Sequence, residues 1–276
     1  TAYEIPKRDW SSDVCSSDLQ IRLLTQLPRR RELIGIVDWR LSQCDRLGVD
    51  IRYNTLAGAE DVAALGADVV MVATGGLPQN LAIAEGAELA VPSWDIISGE
   101  VKPAEDVLLF DDNGAHPGMA AAELIAEKGA RLEIVSPERF FAAEMGGLNL
   151  VPYMKALTRT GARITTMTRV RKLVREGNRI RAVLWSPYTM ADCGERLVDQ
   201  VVVENGTAPL ADLYFSLKER SINRGEIDHA AMIASRRQTI VRNPAGTFQL
   251  FRIGDAVAAR NIHAAIYEAL RLAKEF

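Results

Sequence analysis

Residues 106–138 read DVLLFDDNGAHPGMAAAELIAEKGARLEIVSPE, and this stretch decides the fold. An apolar run, Val107-Leu108-Leu109-Phe110, leads into a turn carrying Gly114. An alanine-rich segment with helical spacing follows. Gly129 then separates it from a second apolar run, Leu132 to Val135. Strand, turn, helix and strand within about 30 residues make the parallel βαβ unit. A wholly apolar run suits a strand covered on both faces.

The turn gives a weaker signal than the fold. A dinucleotide site uses G-x-G-x-x-G so that backbone N–H groups at a helix start can approach a pyrophosphate. Here the turn reads Asp111-Asp112-Asn113-Gly114-Ala115-His116-Pro117-Gly118. Asp112 stands where the first glycine belongs, and Gly118 arrives one residue late. Two carboxylates beside a pyrophosphate repel it unless they point away. Gly114 and Gly118 are candidate contacts for NAD(H), but a Rossmann-like domain that no longer holds NAD(H) tightly fits this turn equally well. The second strand ends ambiguously at Ser136-Pro137-Glu138, with no clear acidic residue for a ribose.

Alternation continues on both sides of the unit. Upstream, Leu33, Val37, Leu41 and Cys44 recur at three- and four-residue intervals, an amphipathic helix stopped by Gly48. VDIRYNT (49–55) reads as a short strand and AEDVAALG (59–66) as a turn or two of helix. ADVVMVATGG (67–76) reads as a strand buried on both faces, and residues 77–105, with Pro78, Pro92 and Pro103, as irregular. Downstream come a helix, strands with a hairpin at Gly177-Asn178, a hairpin extension at WSPYTMADCGERL (185–197), and a buried strand in RLVDQVVVENGTAP (196–209). FQLFRIGDAVAARNIHAAIYEALRLAKEF (248–276) closes the chain as strand, Gly-Asp turn and helix. The expected class is α/β, with two Rossmann-like three-layer domains of the FAD/NAD(P)-binding type, doubly wound. An internal echo supports the pairing. Asp68, Val70, Val72, Gly75 and Pro78 recur as Asp199, Val201, Val203, Gly206 and Pro209, each 131 positions later.

One stretch fits no element. RDWSSDVCSSDL, residues 8–19, has neither helical nor strand period, and residues 9–19 match one reading frame of a common sequencing adapter. Residues 1–19 therefore stay outside the fold assignment, and Trp10 and Cys15 carry no chemistry in it. The remaining cysteines, Cys44 and Cys193, make neither a disulfide framework nor a metal site and suit a reducing cytoplasm. A net charge of −3 points to neither nucleic acid nor an anionic membrane. No apolar run approaches the roughly 20 residues that span a bilayer.

Candidate chemistry gathers at strand ends. Ala73-Thr74-Gly75 ends one strand, and Gly254-Asp255 ends another just before the helix that opens at Asn261-Ile262-His263. An aspartate there can accept hydrogen bonds from ribityl or ribose hydroxyls, and a helix start can face a phosphate. Plainer expectations accompany these. His263 is as readily structural, His116 can touch a ligand, and His229 is solvated. Arg29-Arg30-Arg31 is a wet helix start, and Trp39 packs in a core or interface. No nucleophile–base–orienter set is visible.

In this order, ATGG, DDNGAHPG, EMGGLNLVPYMKAL, VVVENGTAP, LYFSLKERSINRGEID and RIGDAVAARNIHAAI resemble the C-terminal half of the trimethylamine dehydrogenase and 2,4-dienoyl-CoA reductase group of flavoproteins, over about residues 20–276. They are most similar to the branch that demethylates N-methylated amino acids such as dimethylglycine or N-methylproline. The resemblance implies an oxidoreductase parent whose N-terminal β/α barrel with FMN and whose 4Fe–4S cluster are not in this sequence. It implies that residues 20–103 plus 240–276 form a split FAD- or ADP-binding-like domain, incomplete for want of its first βαβ unit, with 104–239 inserted in it as an NAD(H)-binding-like domain. It implies FAD or ADP at Ala73, Thr74, Gly75, Gly254, Asp255, Asn261, Ile262 and His263, and the glycine turn of the inserted domain at Gly114 and Gly118. It implies as partners the barrel of the same polypeptide and further copies of the chain. The portion alone is expected to be catalytically silent. Two other readings stay open: a non-catalytic docking or assembly domain, and part of an NAD(P)H-dependent enoate or dienoyl reductase.

Overall fold

The computed structural model describes residues 19–79 and 83–274. The adapter-like reading falls almost wholly on 8–18 and lies outside the described residues.

In chain order, helix α1 spans Leu19–Leu24, and a 3-10 helix at Pro28–Leu33 runs into α2, Ile34–Arg46. Helix α3 is Ala59–Ala64, followed by strands β1, Val69–Val72, and β2, Gly76–Pro78. Next come β3, Ala90–Pro92, and α4, Ser93–Ser98. The βαβ unit is β4, Asp106–Asp111, α5, His116–Glu127, and β5, Arg131–Val135. Helix α6, Gly147–Thr160, precedes β6, Arg163–Thr165. Strands β7, Arg169–Glu176, β8, Arg179–Ser186, and β9, Ala191–Val198, form an antiparallel meander. Strands β10, Gln200–Glu204, and β11, Thr207–Pro209, follow. The chain ends with α7, Asp212–Lys218, α8, His229–Ile233, β12, Gln249–Arg252, and α9, Ile262–Ala273.

These elements sort into two compact units, one of residues 35–77 and 207–274 with 19–21, the other of 22–34 and 78–206 apart from 80–82. The second unit holds a five-stranded parallel sheet in the order β3-β10-β4-β5-β6. Alternate residues of β4 face opposite layers, as the strand period demands. Val107 and Leu109 pack with Ile96, Ile125 and Leu157 from α4, α5 and α6. Leu108 and Phe110 pack with Val170, Leu173, Ala182 and Leu184 from β7 and β8. One covering layer is therefore an antiparallel sheet, where a doubly wound fold would put helices. The period-two spacing of Ile180, Ala182 and Leu184 is what makes that segment a strand. The Gly177-Asn178 turn joins β7 to β8 as expected.

The first unit pairs β1 with β12, parallel, from Val69 opposite Gln249 to Val72 opposite Arg252. Three expectations fail in these two units. Residues 49–55 form no strand and are exposed, because no strand lies alongside them among the described residues. Strand β1 is not buried on both faces; only Val72 is buried, because the ladder has two strands among the described residues. Residues 77–105 are not irregular, since they supply β3 and the buried helix α4. Pro92 sits where a strand edge tolerates it, at the end of the edge strand β3. Trp39 is 62% exposed, so of its two expected places, core or interface, the core is excluded.

The internal echo has a structural counterpart. Gly75 and Gly206 both take a left-handed φ, +73° and +72°. Leu210 N–H donates to Gly75 O, and Gln79 N–H donates to Gly206 O, both at 3.0 Å. These bonds are each other's equivalents under the 131-residue offset, and β2 pairs with β11.

Asn223 completes β12. Its Nδ2 donates to Leu250 O and its Oδ1 accepts from Leu250 N–H, both at 2.9 Å, so a buried side chain mimics a neighbouring strand. Asn223→Ala strands two buried backbone groups and is expected to lower stability by about 2–4 kcal/mol. Urea denaturation reads this as a lower midpoint at unchanged slope.

Candidate functional site

In the second unit, strand order reverses between β4 and β10, the place where parallel α/β sheets usually open a ligand crevice. Register sets Glu204 opposite Asp111 at the carboxyl ends of these strands, and both side chains are buried. Asp111 Oδ1 accepts the N–H groups of Asn113, at 3.0 Å, and Gly114, at 2.9 Å. Glu204 accepts from Ser93 Oγ, from Asn113 Nδ2 at 3.0 Å and from Gly206 N–H at 2.9 Å. Burial pushes the Asp111 carboxyl up to about 7, and the nearby Glu204 charge adds to the rise, against the pull of the Gly114 and Asn113 N–H groups. Burial also raises Glu204, opposed by its three hydrogen bonds. Asp111 Oδ2 is buried without a hydrogen-bond partner among the described residues, which favours the neutral acid.

This turn does not suit a pyrophosphate. The N–H groups that would meet one are bonded to Asp111. Gly118 is needed because a Cβ there would stand 2.6 Å from Asp111 Oδ2, so it makes room for the protein's own carboxylate. Asp112 forms two hydrogen bonds with the Arg169 guanidinium, at 2.9 and 3.1 Å. Gly114 holds φ +64° at the bend.

Beside the start of α5 lies a cluster not expected from sequence. Arg29 and Arg30 lie over the buried Tyr153 ring, 4.9 and 5.7 Å from its centre. Arg29 pairs with Glu123, and Arg30 donates to His116 Nδ1 at 3.1 Å. Arg29 and Arg31 are exposed, as a wet helix start has them, but Arg29 and Arg30 also have partners. Their hydrocarbon stems cover an aromatic ring, and their charges find partners. Burial, then the Arg30 charge, lowers the His116 pKa.

The first unit gathers the other candidates. Val72 and Arg252 are register partners, so Ala73-Thr74-Gly75 and Gly254-Asp255 emerge at one edge. Thr74 Oγ1 donates to Leu210 O, which pins the turn at Gly75. Gly254 is buried with φ +62°, a conformation that favours glycine. Asp255 accepts from Gln20 Nε2 at 2.7 Å and from Arg260 N–H at 3.2 Å. Asn261 caps α9 by accepting Ala264 N–H at 2.8 Å. The N–H groups of Ile262 and His263 then open that helix, in the first turn where backbone N–H groups have no intrahelical acceptor. A left-handed glycine, a hydroxyl-accepting carboxylate and a helix start fit an adenine nucleotide or the ADP part of FAD. His263 is exposed and stacks on Tyr267, their centres 6.2 Å apart, and His229 is exposed. Gly114 and Gly118 belong to the other unit, so the ten candidate residues are divided between the two units. Among the described residues, no group of three or more His, Cys, Asp or Glu is placed to hold a metal ion, and no helix is long and apolar enough to cross a membrane.

The buried acid sets a pH dependence. Folded Asp111 keeps its proton up to about pH 7, while the unfolded chain releases it from the ordinary 3.8. Its contribution is therefore fully present below pH 4 and lost as pH rises through about 7. Asp111→Asn keeps the Oδ1 acceptor and removes the titration. Relative to this variant, the unaltered chain is expected to lose stability by a few kcal/mol between about pH 4 and pH 7. Urea melts of both proteins at three pH values measure it, and parallel profiles would refute the buried acid.

No family model matches the chain. It is 53% identical over 256 residues to a probable N-methylproline demethylase of Rhizobium meliloti (strain 1021), covering 93% of this chain and 38% of the relative. It is 40% identical over 268 residues to an N,N-dimethylglycine/sarcosine dehydrogenase of Chromohalobacter salexigens, with the same two coverages of 93% and 38%. Histamine dehydrogenase from Rhizobium sp. 4-9 matches in fold, with a TM-score of 0.70, 20% identity, and coverage of 92% of this chain and 38% of that one. The chain thus spans 38% of the length of these two curated relatives. Over 93% of its length the chain is thus homologous to a demethylase and a dehydrogenase, and its mixed α/β fold on a parallel sheet agrees with the resemblance to the trimethylamine dehydrogenase and 2,4-dienoyl-CoA reductase group of flavoproteins.

Proposed function

We propose that this chain is the nucleotide-binding part of an oxidoreductase that oxidatively removes a methyl group from an N-methylated amino acid. Both units are read as Rossmann-like domains, the first only in part. The first unit takes FAD or ADP at the edge formed by Gly75, Gly254, Asp255 and the start of α9. The carrying observation is the β1–β12 register, which sets a left-handed glycine at each of two adjacent strand ends. FAD, when bound, would supply electron transfer. The chain's own residues bind and orient it: Asp255 accepts from a hydroxyl, and Ile262 and His263 offer N–H groups to a phosphate. The FMN, the iron–sulfur cluster and the substrate site belong to the remainder of a longer polypeptide, of the length its relatives have.

The second unit supports a different role. Its crevice carries internal carboxylates where NAD(H) would lie, so it serves as scaffold and assembly surface. Exposed Leu47, Leu56 and Leu65 in the first unit are also suited to contact with the rest of such a polypeptide.

Titration calorimetry with ADP tests the site. Asp255→Ala is expected to weaken binding by about tenfold or more, the loss of hydrogen bonds to a charged acceptor. Unchanged affinity would remove Asp255 from the site and favour the assembly role for the whole chain.

A further inference from the structure

Glu268 sits in the second turn of α9, among neither the strand-end residues nor the helix start. Its carboxylate reaches back to the turn. Oε2 accepts the Gly254 N–H at 2.6 Å and the Arg260 Nη2 at 2.6 Å. A backbone N–H at a left-handed glycine and a guanidinium thus converge on one anionic oxygen, the donor set that a phosphate oxygen takes. The same turn carries Asp255, whose other oxygen holds the Arg260 N–H. Arg260 and Glu268 side chains are 37% and 24% exposed, so their ion pair is solvated and able to exchange partners.

We propose that Glu268 is an internal stand-in for the diphosphate of a nucleotide, holding Gly254 N–H and Arg260 until the ligand draws Arg260 onto its own phosphates. This rests on the nucleotide reading of the first unit. Its consequence is selectivity by charge. Glu268 repels an arriving diphosphate and must surrender Arg260 to it, so it loosens binding of anionic nucleotides. A neutral nucleoside neither meets that repulsion nor recruits Arg260. Glu268 is a positioning residue and enters no chemical step.

The test titrates the full chain with ADP and with adenosine. Glu268→Gln keeps an oxygen for Gly254 N–H but removes the charge. It is expected to bind ADP about tenfold more tightly, with adenosine unchanged. Arg260→Ala is expected to bind ADP several-fold more weakly, again with adenosine unchanged, and it tests the proposal even if Glu268→Gln does not fold. ADP bound equally or more weakly by Glu268→Gln, while both chains bind adenosine, would make Glu268 a mere brace of the turn and overturn the proposal alone. Arg260→Ala binding ADP with full affinity would overturn it too. No binding of either compound by any of the three chains would overturn the nucleotide reading, and the proposal with it.

Discussion

Two carboxylates share the buried end of the parallel sheet, and the architecture of the second unit follows from accommodating them. The β4–β10 register brings Asp111 and Glu204 side by side away from water. A buried carboxylate has to be neutral or bonded. Asp111 takes two turn N–H groups, while Glu204 takes Ser93, Asn113 and Gly206. These bonds shape the strand-to-helix turn and require the bare α-carbon of Gly118. A motif that elsewhere admits a pyrophosphate here has an internal reason for its glycine.

The first unit uses the same strand-to-turn geometry differently. Gly75 ends β1 much as Gly206 ends β10, with equivalent φ values and equivalent backbone bonds. Among the described residues, no acid is buried at that edge. Its carboxylates, Asp255 and Glu268, lie partly in solvent and hold exchangeable partners, a glutamine and an arginine. One edge is sealed by its own side chains, and the other keeps donors that a ligand can claim.

The βαβ unit was legible because its signals are local: an apolar run, a glycine, and helical spacing between Gly114 and Gly129. The resemblance drawn from ATGG and RIGDAVAARNIHAAI also stands. What escaped depends on contacts distant in sequence. Nothing near Glu204 announces Asp111, 93 positions earlier. Arg29 and Arg30 looked solvated because Tyr153 and Glu123, which cover and pair them, come from later helices. Residues 90–92 are too short, and too near a proline, to announce a strand without β10 beside them. Residues 49–55 carry strand-like residues but meet no neighbouring strand among the described residues, so local preference was overruled. A signal for Glu268 existed in hindsight: an acid two turns into the helix that follows a Gly-Asp turn, on the side facing back toward it.

On the proposed function, nucleotide enters at the β1–β12 edge and not at the β4–β10 edge. Amide hydrogen exchange with and without ADP measures both edges in one experiment. Slower exchange at residues 254–264, with residues 112–119 unaffected, is the predicted result. Protection at 112–119 with none at 254–264 would contradict the account, because a ligand would then have displaced Asp111 from its own turn.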